Sequence, residues 1–173
     1  MTIDLNDFPE ILTPRLRLRA WTDADADQLA DIYADPESVR YLRYYDRAGT
    51  RAQVQRFRDH WDEHGFGLWA VEHRETGRFI GRIGLMHHDD WSASPHDAEV
   101  GWVIAREMWG QGLASEGGAA ALDFGRKKGL NHFVSIAHVD NAASQRVMEK
   151  LGLTRQGVTV WRDSPVVWFA TDR

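Results

Sequence analysis

The stretch Ala98 to Ser115 reads AEVGWVIAREMWGQGLAS and combines features that chemistry can use. An almost wholly apolar strand pattern runs into Gly110-Gln111-Gly112-Leu113-Ala114 and then directly into a helical pattern. Glycines let the backbone turn tightly and approach a ligand with no Cβ in the way. A helix start presents unpaired N–H groups and the positive end of its dipole. Gly110, Gln111, Gly112, Leu113, Ala114 and Ser115 therefore suit a pyrophosphate. Glu99 is the only charged residue between Ala98 and Ala105. A carboxylate placed there is a candidate general base; the alternative is a strand-end carboxylate paired with an Arg.

A G-x-G before a helix occurs in several nucleotide sites, and two of these can be set aside. A Walker loop ends in Gly-Lys-Ser/Thr, whereas this turn runs on as Leu113-Ala114-Ser115. A dinucleotide fingerprint needs a third glycine and an acidic residue closing the next strand. Here that strand closes on His138, and Asp140 already lies in the turn.

Other clusters read as structural. Asp23-Ala24-Asp25-Ala26-Asp27 opens like a calcium loop, but Gln28 stands where Gly is required and Ala34 where Glu is required. His87, His88, Asp89, Asp90 and His96 could hold a metal, yet adjacent histidines on a strand face opposite ways. No metal is expected.

The elements that must position these residues follow from periodicity. Arg15 to Trp21 alternates as a half-buried strand does, with its Arg side chains read as a solvated face. Thr22 caps a helix that Pro36 breaks, and a second helix runs from about Arg51 to His64. Strands are expected at Gly67 to His73 and Phe79 to His87, joined by a turn at Glu75-Thr76-Gly77. Ala98 to Ala105 reads as a central strand covered on both faces. A helix at Gly112 to Lys128, a strand at Phe133 to His138 and a helix at Asn141 to Leu151 follow. Asn141 is the N-cap and Gly152 the left-handed stop. Strands at Thr154 to Trp161 and Val166 to Thr171 close the chain. The order predicts an α/β fold with a mixed sheet and helices on both faces.

At this point the sequence resembles the GNAT acyltransferase superfamily. Trp109-Gly110-Gln111-Gly112-Leu113-Ala114 is similar to that family's Q/R-x-x-G-x-G/A turn. Asn141-Ala142-Ala143-Ser144, closing in Glu149-Lys150-Leu151-Gly152-Leu153, is similar to its N-x-x-S/A helix and E-K-L-G-F ending. Leu12 to Arg19 with Trp21, and Glu99-Val100-Gly101-Trp102 ahead of the glycine turn, resemble the ribosomal-protein N-acetyltransferase (RimJ/RimL-like) branch. The resemblance covers nearly the whole chain.

It implies a mostly antiparallel sheet of about seven strands, in one N-acetyltransferase domain over residues 1–173. It implies acetyl-CoA as co-substrate, with the pyrophosphate on the N–H groups of Gly110 to Ser115. The pantetheine arm would run along the strand edge near Trp102 and Ile104, with Asn141 on its other side. The acceptor is an amine, either a protein N-terminus or a small molecule; Arg40, Tyr41, Arg43, Tyr44 and Tyr45 lie where the family places its acceptor-site helices, so the resemblance makes acceptor pocket and plain packing equal readings of that cluster. Two positions depart from the pattern. Trp109 stands in place of Gln or Arg. Met148 stands where many relatives place a tyrosine that protonates the leaving thiolate, and a thioether cannot donate a proton. That proton then comes from Ser144 or from solvent. A non-catalytic acyl-CoA-binding module is the competing class: Met148 favours it, and Glu99 argues against it.

Composition narrows the field further. The 173 residues carry 26 acidic against 21 basic side chains, for a net charge of −5, and no Cys. A net-acidic chain without a basic block is a poor nucleic-acid binder. The absence of Cys excludes disulfides, Cys-ligated metals and a thiol nucleophile. Met1 to Glu10 has neither a basic nor an apolar leader segment, and no run approaches a membrane span. A cytoplasmic protein with no membrane partner is expected, with a homodimer left open.

Overall fold

Leu16 and Leu18 are fully buried, and the arginines between and beside them point away from that core. This alternation makes Leu16–Arg19 the second strand of a computed structural model that describes residues 8–172. The leader-free reading of Met1 to Asp7 lies outside the described residues. The strands are β1 (Ile11–Leu12), β2 (Leu16–Arg19), β3 (Leu68–His73), β4 (Phe79–Met86), β5 (Ala98–Ile104), β6 (Phe133–His138), β7 (Thr154–Trp161) and β8 (Ser164–Ala170). The helices are α1 (Asp23–Tyr33), α2 (Arg47–His64), α3 (Leu113–Lys127) and α4 (Ala142–Lys150).

The strands form one 8-stranded sheet in the order β1-β2-β3-β4-β5-β6-β8-β7. Every neighbouring pair is antiparallel except β5 and β6. The mixed, mostly antiparallel sheet is the one expected, with one strand more. The addition is β1, whose two residues are too short to show a period and are held by pairing Ile11 with Leu18. Helix α2 starts at Arg47 rather than Arg51, because Asp46 caps it by accepting from the Gly49 N–H at 2.7 Å. Strand β8 starts at Ser164 rather than Val166. A two-residue turn at Arg162-Asp163, both at positive φ, closes the hairpin early.

Two cores cover the sheet. On one face Leu16, Leu18, Val71, Ile83 and Val100 pack under Leu113, Ala121 and Leu122 of α3 and Met148 of α4. On the other, Leu68, Ala70, Phe79 and Val103 pack under Leu29 and Tyr33 of α1 and Val54 and Phe57 of α2. Helix α3 lies very close to the sheet. A Cβ at Gly117 would come within 2.4 Å of Ile83 Cδ1. Asp25, read as one residue of a failed calcium loop, is helical and buried. Its carboxylate caps Thr22 N–H at 2.7 Å and takes both Nη atoms of Arg19 at 2.7 and 2.9 Å. Glu72 completes that ion pair, so Arg19 is half-buried rather than part of a solvated face.

Candidate active site

Strands β5 and β6 pair only at Ala98 with Phe133 and Glu99 with Val134. Beyond that step they separate, opening a wedge toward their C-terminal ends. Each strand leads into a helix there: β5 through the glycine turn into α3, and β6 through Asp140 into α4. Two helix N-termini thus flank the crevice outside the carboxyl ends of two parallel strands, where α/β sheets place their ligands.

The walls of the wedge have a polar logic. A strand's peptide groups alternate between its neighbours, and Val103 turns its carbonyl to β4, within 2.0 Å of where a Gly81 Cβ would be. Val100, Trp102 and Ile104 therefore face β6. The Val100 carbonyl accepts from Ser135 Oγ at 2.9 Å, and the Ile104 carbonyl from Trp109 Nε1 at 2.7 Å. Trp102, between them, keeps its peptide groups toward the open wedge. The sequence places both Trp102 and Ile104 on this edge, but the Ile104 carbonyl is already taken. The β4–β5 ladder has no register shift, so the wedge is the irregularity of this strand rather than a bulge.

At the mouth, Gly110 and Gly112 have φ of 72° and 78°, the left-handed region that L side chains avoid. Nothing lies within 4 Å of a Cβ at Gly110. Gln111 is exposed, Leu113 anchors the turn in the core, and Ala114 and Ser115 are half-buried on the first turn of α3. The N–H groups of Leu113, Ala114 and Ser115 precede the first intrahelical bond, from Glu116 N to the Gly112 carbonyl at 3.0 Å. Ser115 Oγ is buried and has no hydrogen-bond partner among the described residues.

Arg15 and Glu116 hold this turn, and sequence reasoning missed both. Arg15 Nη1 donates to the Gln111 carbonyl at 2.8 Å while Nε donates to Glu116 at 2.7 Å. The other Glu116 oxygen accepts from Thr13 Oγ1 at 2.7 Å and Arg15 N–H at 2.8 Å. Burial pushes the Glu116 carboxyl up, and these hydrogen bonds outweigh it, holding the group below the usual carboxylate range.

On the opposite wall, Asn141 Oδ1 accepts from Ser144 N–H at 3.1 Å, as an N-cap should. Its backbone is committed as well: N–H to the His138 carbonyl at 2.9 Å, and carbonyl from Gln145 N–H at 3.2 Å. With those groups committed, the carboxamide N–H₂ is what Asn141 offers to the wedge. Ser144 is half-buried at the same helix end. Met148 is 1% exposed and belongs to the core. Tyr41 stacks on His138 with ring centres 5.2 Å apart, bringing the Arg/Tyr segment to the end of β6. Tyr45 packs against the α1–α2 core instead, and Tyr44 is exposed.

Glu99 sits where the wedge begins, on the α1–α2 face with Gly101 and Val103. Its side chain is 15% exposed. Its partner is a histidine rather than the Arg of the alternative reading. Oε2 lies 2.5 Å from His88 Nε2. His88 belongs to a run of histidines at this end of the sheet. Its N–H donates to His96 Nε2 at 3.3 Å, and His87 stacks on His96 at 5.0 Å. His60 of α2 is bonded at both ring nitrogens. Nδ1 donates to the Phe66 carbonyl at 2.8 Å, and Nε2 accepts from His87 N–H at 3.0 Å. Burial lowers its pKa to about 4. Among the described residues no three His, Asp or Glu side chains are grouped to hold a metal ion, and no helix is long and apolar enough to cross a membrane.

One splayed parallel pair, a glycine turn at a helix start and a carboxylate at the apex together form a single crevice at the carboxyl ends of β5 and β6. The chain belongs to the GNAT acetyltransferase family: the model of the acetyltransferase (GNAT) domain matches residues 15–154. It is similar to the uncharacterised N-acetyltransferase YoaA of Bacillus subtilis, at 30% identity over 87% of this chain and 86% of that one. Among solved structures it resembles an acetyltransferase from Agrobacterium tumefaciens, at 26% identity and a TM-score of 0.83 over 95% of both chains. The fold also matches RimL, a ribosomal L7/L12 α-N-protein acetyltransferase solved with coenzyme A, at 19% identity and a TM-score of 0.75 over 94% of this chain and 97% of that one. The protein is an acetyltransferase.

Proposed function

We propose that the chain transfers the acetyl group of acetyl-CoA to a primary amine, by direct attack with both substrates bound. The observation that carries this reading is the β5–β6 wedge, with Glu99 at its apex and the glycine turn at its mouth. The donor set fits the co-substrate. Among the described residues Ser115 Oγ lacks a partner, the first-turn N–H groups of α3 precede the helix's own bonds, and Gly110 and Gly112 leave room for a pyrophosphate. The Trp102 carbonyl and the Asn141 carboxamide would hold the amides of the pantetheine arm from opposite walls, leaving the Trp102 N–H for the thioester oxygen. The peptide edge beside Ile104 continues that track, through its N–H.

Acetyl-CoA supplies an activated acyl group with a fairly good leaving thiolate. This chain supplies a base, a donor for developing negative charge and an orientation. Glu99 takes the amine's proton through a water, since the amine itself must face the thioester. The peptide N–H of Trp102, on the open β5 edge, would serve as the donor for a developing oxyanion. In place of the missing tyrosine, the thiolate takes its proton from solvent, directly or by way of the Ser144 hydroxyl at the start of α4, which regains its own proton from water. An α-amine, with a reference pKa of ~8, is roughly one-tenth free at pH 7, whereas a lysine is less than a thousandth free. The acceptor class that asks least of Glu99 is therefore a protein N-terminal α-amine or a small amine of similar basicity.

The test is release of CoA thiol from acetyl-CoA across a panel of N-terminal peptides, amino acids, polyamines and aminoglycosides. At least one amine should be turned over by wild type and far more slowly by Glu99→Gln. A panel with no turnover would leave acyl-CoA binding without transfer as the better account.

A further inference from the structure

The two oxygens of Glu99 have different surroundings. Oε2 is taken by His88 Nε2 at 2.5 Å. Oε1 meets no hydrogen-bond donor among the described residues. It leans along the strand, 3.9 Å from where a Cβ of Gly101 would lie. That Cβ would touch nothing else, and Gly101 does not have positive φ. Neither packing nor backbone conformation asks for glycine there. What its absence of a side chain provides is open space beside Oε1, on the same face of β5.

His88 is itself clamped from outside the strand. Arg162 Nη2 lies 3.4 Å from His88 Nδ1. A guanidinium keeps its protons, so Nδ1 must be the acceptor. With Nδ1 accepting, the proton that His88 donates to Glu99 is the one on Nε2. Arg162 in turn is fixed on Asp90, with Nε to Oδ2 at 2.7 Å and Nη2 to Oδ1 at 2.9 Å, and its guanidinium lies 4.0 Å over the Trp161 ring. The β7–β8 turn that delivers Arg162 has φ of 50° there and 61° at Asp163. A left-handed Arg is an unfavourable choice for a two-residue hairpin, where Asn-Gly would relax the chain. Its retained contacts are the ones to Asp90, Trp161 and His88. The other titratable groups facing His88 are His96, on its backbone N–H, and His87 and His60 behind it.

We infer that His88 is the positioning residue of the reaction. It occupies one oxygen of Glu99, is locked in its donor tautomer by Arg162, and leaves the other oxygen over the space at Gly101 where the acceptor's water or amine must sit. This rests on Glu99 as the base. The amine's proton passes through water to Oε1 and returns to solvent through the wedge. His88 keeps its own proton throughout, because its Nδ1 is already occupied.

Two measurements test this. Ring ¹⁵N shifts of the histidines at pH 7 read the tautomer without any acceptor. His88 should show a protonated Nε2 and an unprotonated Nδ1, and Arg162→Met should lose that preference. A protonated Nδ1 in wild type overturns the proposal. The second measurement uses the panel amine that wild type turns over fastest. His88→Phe keeps a ring against Trp161 but removes the donor. It should lower kcat roughly ten-fold, part of the roughly 10²–10⁴-fold a general base supplies, and move the acid limb of the rate profile to higher pH. KM for acetyl-CoA should not change. His88→Gln, whose amide N–H can reach the same oxygen, should restore most of the rate. In a Glu99→Gln background, His88→Phe should cost little more. Wild-type kcat and pH profile in a folded His88→Phe, with Glu99→Gln still impaired, would leave His88 a packing residue. If Glu99→Gln itself turns over normally, the base assignment fails first and this inference falls with it.

Discussion

Arg15 and Glu116 stand 101 positions apart in sequence, yet Nε and Oε2 are 2.7 Å apart across the first turn of α3. The same guanidinium reaches the Gln111 carbonyl, so the connection between β1 and β2 holds the glycine turn in place. Removing Arg15 with Arg15→Ala should loosen the turn and weaken acetyl-CoA binding by roughly ten-fold, or about 1.4 kcal/mol. Glu116→Gln, which keeps the shape, should cost less. Calorimetric titration with acetyl-CoA reads both, and an unchanged Kd for Arg15→Ala would show that the turn needs no anchor.

The turn itself tolerates only glycine for a conformational reason. At φ of 78° a Cβ on Gly112 has room, its nearest neighbour being Arg15 Nη2 at 3.7 Å. The left-handed backbone is the obstacle, costing a side-chain-bearing residue about 1–2 kcal/mol, more when β-branched. Gly112→Val should therefore weaken acetyl-CoA binding by roughly ten-fold or more while the domain stays folded by circular dichroism. Retained affinity would remove the pyrophosphate from this turn.

Ligand selectivity separates this turn from a generic anion site. Acetyl-CoA should raise the melting temperature by mass action, and ATP or NAD should not, because neither carries a pantetheine arm to lie along Trp102 and Asn141. Equal thermal shifts from all three would reduce the site to a helix start that attracts phosphate.

Glu99→Gln preserves shape and removes basicity. Turnover at pH 7 should fall about 10²-fold or more, with acetyl-CoA affinity little changed. The deficit should shrink at high pH, where the amine deprotonates unaided. A pH–rate series on wild type and variant checks the shape, and parallel curves would indicate a purely structural carboxylate.

His60 makes stability depend on acidity. Its folded pKa of about 4 lies below the ordinary histidine value of 6.5. The unfolded chain therefore binds the extra proton first as pH falls. The stabilisation is complete above about pH 6.5 and is lost progressively down to about pH 4, a total on the order of 3 kcal/mol. Burial also lowers His96, with the same sign. Urea unfolding between pH 7.5 and 4.5 should show this slope, and His60→Gln should flatten it. A slope unaffected by the substitution would place the acid sensitivity elsewhere.

The elements of this protein were legible in its sequence because they depend on local rules. Alternation marked β2, an apolar run marked β5, and Asn141 and Gly152 marked the ends of α4. The glycine turn was legible for the same reason: φ, helix start and missing Cβ are properties of consecutive residues. The long-range contacts were not. Glu99 could be picked out as a carboxylate in an apolar strand, but its partner arrives by a loop between β4 and β5, and that partner's own clamp from a hairpin 74 residues beyond His88. Ser135 closing the Val100 carbonyl, and β8 inserting between β6 and β7, are likewise decided by how the strands assemble. Spacing along a chain sets which side chains share a face of one element. Which faces then meet depends on burying the apolar stripes of all elements at once, and only the packed tertiary structure solves that problem.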